Sequence, residues 1–277
     1  MKIRLPKILR RPTSMAAVLV LVVIVVATLG ASWISRTDPL AINAMQRLHA
    51  PSGPYLFGTD MMGRDVFART LYGGRISLAI GICVALITTL IGLVVGLIAG
   101  FVRWTDVILM RVVDGLQAIP AILLAIAIAA IMGSGIFSVV LAITIAESPL
   151  VVRLVRGMVL TIREEPYIEA ARSMAVPTWQ IMLRHVVPNL AGALIVQATY
   201  ICGVSILFEA YLSFLGAGIS PETPSWGNIM AEGRNVALLA PWVVIAPGIC
   251  VALVVLAFNE LGDGLQDYLD PRIRSRL

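Results

Sequence analysis

Lysine is nearly missing from this chain of 277 residues: Lys2 and Lys7 are the only two. A phosphate loop of the G-x-x-x-x-G-K-[ST] kind needs a lysine behind its glycines to reach the phosphates. None exists here, so the chain carries no such nucleotide site of its own. Charge is scarce in general, at 13% of residues, against about 25% in soluble domains. There is no G-x-S-x-G elbow and no H-E-x-x-H pair, which removes two common hydrolase signatures. Cysteine occurs three times, as Cys83, Cys202 and Cys250, each inside an apolar run. That placement excludes a disulfide framework or a metal cluster and leaves small packing residues. No catalytic group, resident cofactor or metal site is expected.

What is abundant is apolar. Hydrophobic residues make up 59% of the chain. A bilayer core about 30 Å thick needs roughly 20 apolar residues per spanning helix. Six runs meet that length, over 14–34, 77–101, 107–132, 136–154, 191–212 and 241–261. The fold class is therefore all-α, a polytopic membrane protein with six transmembrane helices. The division is a tail over 1–13, a first span over 14–34 and an external segment over 35–76. A five-helix core follows over 77–262, containing a polar loop at 155–190 and a second external segment at 213–240. A tail over 263–277 ends the chain.

The basic residues set the orientation. With the N-terminus inside, 15 of the 21 Lys and Arg fall on the cytoplasmic side and 6 on the other, as the positive-inside rule requires. Both termini and the polar loop are then cytoplasmic, and His49 and His185 lie on opposite faces. The net charge of +5 is explained by topology and anionic membrane lipid, and no nucleic acid is implied.

The second span repeats glycine at Gly92, Gly96 and Gly100, four residues apart on one helix face. Such faces let helices approach closely in lipid, so a tight seam is expected there.

The polar loop has a logic of its own. Glu164 and Glu165 precede Pro166, a good opening for a helix. Ile168, Ala171 and Ala175 then share a small apolar face suited to a shallow groove on a partner. Val176-Pro177 ends the helix. A second helix over 178–187 turns Trp179, Met182, Leu183 and Val186 toward the membrane, and Pro188 breaks it before the fifth span.

Three ordered blocks carry a family resemblance. The first is Phe57-Gly58-Thr59-Asp60-Met61-Met62-Gly63-Arg64-Asp65, running on to Gly74-Arg75-Ile76-Ser77. The second is Glu165-Pro166-Tyr167-Ile168-Glu169-Ala170-Ala171-Arg172, ending at His185-Val186-Val187-Pro188-Asn189. The third comprises Leu212-Ser213-Phe214-Leu215-Gly216, Pro224-Ser225-Trp226-Gly227 and Phe258-Asn259-Glu260-Leu261-Gly262-Asp263. Together they resemble the C-type permeases of the dipeptide, oligopeptide and nickel branch of ABC importers.

The resemblance implies a type I importer permease fold, paired with a second homologous permease. It implies two ATP-binding subunits that hold ATP and Mg, and a solute-binding protein outside. It further implies that Tyr167, Glu169, Ala170, Ala171, Arg172 and Ala175 couple to the ATPases. The solute class is di- or oligopeptide, with nickel chelate, opine, glutathione and sugar open as alternatives. The rival classes are a membrane sensor or scaffold using the same loop, and an ion-coupled transporter.

Two departures matter. The family usually has glycine where Ala175 stands, which argues against a left-handed turn at that residue. It often has tryptophan and a Tyr-Ala-Arg run where this chain has Glu147-Ser148-Pro149-Leu150-Val151-Val152-Arg153. Charges inside spans are costly and mark function. Glu147 and Glu209 are therefore candidates for the translocation path or its gate. Arg111 and Asp114, three residues apart, are expected to pair locally, and Asp60, Arg64 and Asp65 to form an outer salt network. Glu260 and Asp263 are expected to be balanced by Arg272 and Arg274.

Overall fold

A computed structural model of the chain describes residues 12–269. The terminal stretches 1–11 and 270–277, including Arg272 and Arg274, lie outside the described residues. Eleven α-helices occur among the described residues. They are α1 (Pro12–Leu29), α2 (Ala31–Ile34), α3 (Val66–Phe101), α4 (Arg103–Gln117), α5 (Ala121–Met132), α6 (Ile136–Ile162), α7 (Pro166–Ser173), α8 (Thr178–Ile181), α9 (Val187–Phe214), α10 (Trp226–Gly233) and α11 (Trp242–Leu269). No strand forms among these residues, beyond a single bridge between Thr59 and Asp65. In lipid this is the expected outcome, because a helix satisfies its own backbone polar groups.

Among the described residues, five helical stretches are long and apolar enough to cross a membrane, and the bent pair α4–α5, counted as one span, brings the number to six. The α3 helix is the axis of the bundle. It packs along α6 and α9, α11 packs on α9, and α1 lies against α11 and α3. The expected glycine seam is present. Gly92, Gly96 and Gly100 face Val151, Val155 and Val159 of α6 in order, so the two helices run parallel. A Cβ on Gly96 would lie 2.6 Å from the Val155 Cβ, closer than carbon atoms pack.

Four boundaries differ from the sequence reading. The second span extends outward by a further three turns, because Asp65 caps its start by accepting from the Phe67 N–H at 2.9 Å. The last span continues to Leu269. The third span is not one helix: α4 and α5 meet at a 90° bend, where Pro120 breaks the backbone ladder. The α5 helix alone has 12 residues, roughly 18 Å at 1.5 Å per residue, too short to cross unaided. Finally, Pro188 does not interrupt the helix before it. A π-helical turn over Met182–Val186 joins α8 to α9. Such a turn shifts the hydrogen-bond register and absorbs the N–H that proline lacks.

At the end of the bundle opposite α7, residues 35–65 and α10 form a cap. Its hairpin turns on Asp60, whose Oδ1 accepts from the N–H groups of Met62 at 2.7 Å and Arg64 at 3.0 Å. Gly63 sits there at a φ of 72°, with the Asn43 carbonyl where a Cβ would be. Trp242 donates to the Thr59 carbonyl at 3.1 Å, tying the cap to α11.

Candidate functional site: the helical loop and the charges inside the bundle

The polar loop is anchored at its start. Arg163, at the end of α6, donates from Nη1 to the Gly100 carbonyl at 3.0 Å and pairs with Glu164 at 2.9 Å. This anchors the loop to the end of α3. The α7 helix opens on Pro166 at its first turn, as expected. Its face is turned the other way from the sequence reading, however. Ile168 is 0% exposed and Ala171 4%, and both belong to the chain's own core. Because α7 is short, its apolar stripe is needed to fasten it to the bundle. The groove-filling face expected at Ile168 and Ala171 is therefore spent internally. The side turned outward carries Tyr167, Glu169, Ala170, Arg172, Met174 and Ala175.

The end of α7 corrects a second expectation. Ala175 has a φ of 56°, left-handed despite its methyl group. Its N–H donates to the Arg172 carbonyl at 2.9 Å, and the Val176 N–H to the Ala171 carbonyl at 3.1 Å. These two bonds make a Schellman motif, usually built on glycine. Val176 packs against the same core as Ala171, which is the apolar contact that accompanies such a stop. The packing of Ala171 and Val176 holds alanine in a conformation that costs it about 1–2 kcal/mol. On the loop's other flank, Tyr167 accepts from Asn189 at 3.4 Å, and Asn189 also donates to the His185 carbonyl at 2.6 Å.

Arg111 and Asp114 do not pair. Asp114 instead takes Arg153 of α6 at 2.5 Å. One turn further along α6, Arg156 bonds Asp106, two turns back along α4, through two contacts of 2.5 Å and 2.7 Å. Two ion pairs thus clamp α4 across α6. The α4 helix lies at right angles to α5, which brings its acidic side chains within reach of the next span.

Glu209 is 0% exposed and does not line an open path in this conformation. Ser77 of α3, Ser213 of α9 and Ser225 before α10 donate to its carboxylate at 2.9, 2.9 and 2.8 Å. Ser77 also accepts from the Trp226 N–H at 3.2 Å. Glu209 is a brace that ties three elements together beneath the outer cap.

The outer network is larger than its sequence block. Arg69, fully buried, bonds Asp60 at 2.6 Å and Glu232 at 2.5 Å. Arg64 bonds Asp60 at 2.7 Å and also reaches Glu232. Asp65 is not part of it, being occupied as the α3 cap; burial pushes its carboxyl up, against the pull of the Phe67 and Ala68 N–H groups. The sequence reading missed Arg69 and Glu232 because they lie 163 positions apart. Near the other end of the bundle, Asp263 accepts from Tyr200 and Glu260 from Ser14 at 3.4 Å.

Glu147 stands on α6 beside Pro149. It borders a hollow of about 470 Å³ where α4 and α5 meet, together with Asp114, Pro120, Leu150 and Arg153.

A bundle of apolar spans with a polar helical loop anchored at one end defines a polytopic membrane protein. The family comparison makes this specific. Residues 89–275 match the model of the binding-protein-dependent transport system inner membrane component, and the chain belongs to that family. A probable peptide ABC transporter permease of Sinorhizobium fredii is 50% identical, over 86% of this chain and 82% of the relative. A glutathione transport system permease of Escherichia coli is 43% identical over 96% and 88%. A putative peptide transport system permease of Brucella suis is 41% identical over 97% and 90%. An inward-facing structure of the MetNI methionine ABC transporter matches with a TM-score of 0.56 at 21% identity, over 71% of this chain and 96% of that one. At that identity the match speaks to the fold alone.

Proposed function

We propose that this chain is one of two permease subunits of an ATP-driven importer that takes up di- or oligopeptides, or a related small polar solute. A solute-binding protein delivers the solute to the outer cap. Two separate ATPase subunits, holding ATP and Mg, dock on the outward side of α7 through Tyr167, Glu169, Ala170, Arg172 and Ala175. Both termini and α7 lie in the cytoplasm of a bacterial or archaeal cell.

The observation that carries the reading is the construction of α7. A helix of 8 residues has its apolar stripe buried and its end locked, while its polar side stays free. A rigid knob of this kind transmits a push into the bundle along Arg163 and α3. ATP-bound and nucleotide-free partners contact it differently, and that difference in contact free energy shifts the bundle between its two openings. The relatives' names support peptides as the solute, and glutathione is itself a modified tripeptide.

The test is reconstitution. The complete complex in proteoliposomes, with binding protein outside and ATP within, should accumulate a labelled tripeptide. Met45, 91% exposed, should be labelled from outside as Met45→Cys. Uptake that proceeds without the ATPase subunits, or follows an ion gradient, would overturn the reading.

A further inference from the structure

Glu147 and Glu209 are both buried carboxylates on spans, and their surroundings differ completely. Glu209 takes three hydroxyl donors. Glu147 is 8% exposed, and no hydrogen bond or ion pair reaches it among the described residues. Its carboxylate oxygens are not sealed in the core but open onto the adjoining hollow, and inside a membrane bundle such a group marks a functional position. What it borders is the hollow at the bent third span.

The other groups around that hollow do not supply the missing charge. Arg153 is held by Asp114 at 2.5 Å, so the pair is neutral as a unit. The C-terminal end of α4 and the N-terminal end of α5 meet there, and the partial negative charge of the one offsets the partial positive charge of the other. The Glu147 carboxylate therefore sets the sign of the site. Its volume, about 470 Å³, lies in the range of small-molecule pockets. Broken helices at membrane depth are tolerated where they line a cavity.

Resting on the importer reading, we infer that this hollow receives the cationic group of the passing solute, an ammonium such as a free peptide N-terminus, on the Glu147 carboxylate. The passing cation supplies the charge partner that the protein withholds. Because the carboxylate is otherwise unpaired, it favours entry of ammonium-bearing solutes over neutral or anionic ones of the same size.

The test reads the site without requiring transport. In the assembled complex, with Cys83, Cys202 and Cys250 replaced by Ala, Leu150→Cys places a thiol on the wall of the hollow. Leu150 is 49% exposed. A cationic methanethiosulfonate should modify it at least about tenfold faster than an anionic one of equal size, the lower end of local enrichment by a focused charge. Glu147→Gln, which keeps the shape, should abolish the preference, and Glu147→Asp should retain most of it. A preference that survives Glu147→Gln, equal rates in the parent, or no reaction with either reagent would overturn the inference. Loss of ATP-driven uptake in the parent complex would count against the importer reading instead, whatever the labelling shows.

Discussion

Arg153 of α6 reaches the Asp114 carboxylate of α4 at 2.5 Å, across 39 positions of sequence. Arg156 and Asp106 repeat the contact with two bonds. The bent third span is thus clamped to the fourth by charge as well as by packing.

The two clamps should differ in strength. Arg153 and Asp114 are about half exposed, at 49% and 58%, whereas Arg156 and Asp106 are at 29% and 24%. Exposed pairs are worth about 0–1 kcal/mol, and bidentate geometry adds strength. Double-mutant cycles on thermal unfolding in detergent should give the larger coupling for Arg156 with Asp106. Added salt should weaken the Arg153 pair more.

The glycine seam should tolerate no bulk. Gly96→Leu puts a side chain where Val155 already stands. Overpacking of this kind costs about 1–3 kcal/mol, so the variant should melt several degrees lower. Val155→Ala in the same chain should recover part of the loss, because it empties the position that clashes.

Ala175→Gly should stabilise the loop. Glycine relieves the left-handed strain of about 1–2 kcal/mol and gives back about 0.4–1 kcal/mol in unfolded-chain entropy. The net gain should appear as slower hydrogen exchange at the Val176 amide, which donates into the motif.

Glu209→Ala should loosen the cap from the bundle. Three buried hydroxyls lose their acceptor, and an unsatisfied buried polar group costs about 1–3 kcal/mol. Limited proteolysis between Gly216 and Ser225 should speed up. Glu209→Gln keeps an acceptor oxygen and should fall between the two.

The spans were legible from apolar length, and the α3–α6 seam from glycine spacing. Both are local patterns along one helix, and the structure preserves them. The break in the third span was signalled as well: Arg103, Asp106, Arg111 and Asp114 are too many charges for a stretch of twelve residues crossing lipid. The apolar run of α5 hid that signal. Arg111 and Asp114 misled because three-residue spacing is a helix rule, while the real partner comes from a neighbouring helix. The inward turn of Ile168 and Ala171 was invisible for a related reason. An apolar face looks the same in sequence whether it meets a partner or the chain's own core.

The inward turn also moves the decisive substitution from Ala171 to its neighbour. Ala171→Arg would strike the chain's own core and fail without informing on docking. Ala170→Arg alters only the outward side of α7. The most direct measurement is therefore ATP-driven tripeptide uptake by the Ala170→Arg complex, read beside co-purification of the ATPase subunits. The variant should reach the membrane at normal levels, hold the ATPases poorly and transport at below about a tenth of the parent rate, since burying an unpaired charge at an interface costs several kcal/mol. Parent-level uptake with the full complex intact would contradict this, because the outward side of α7 would then not be the contact that drives transport.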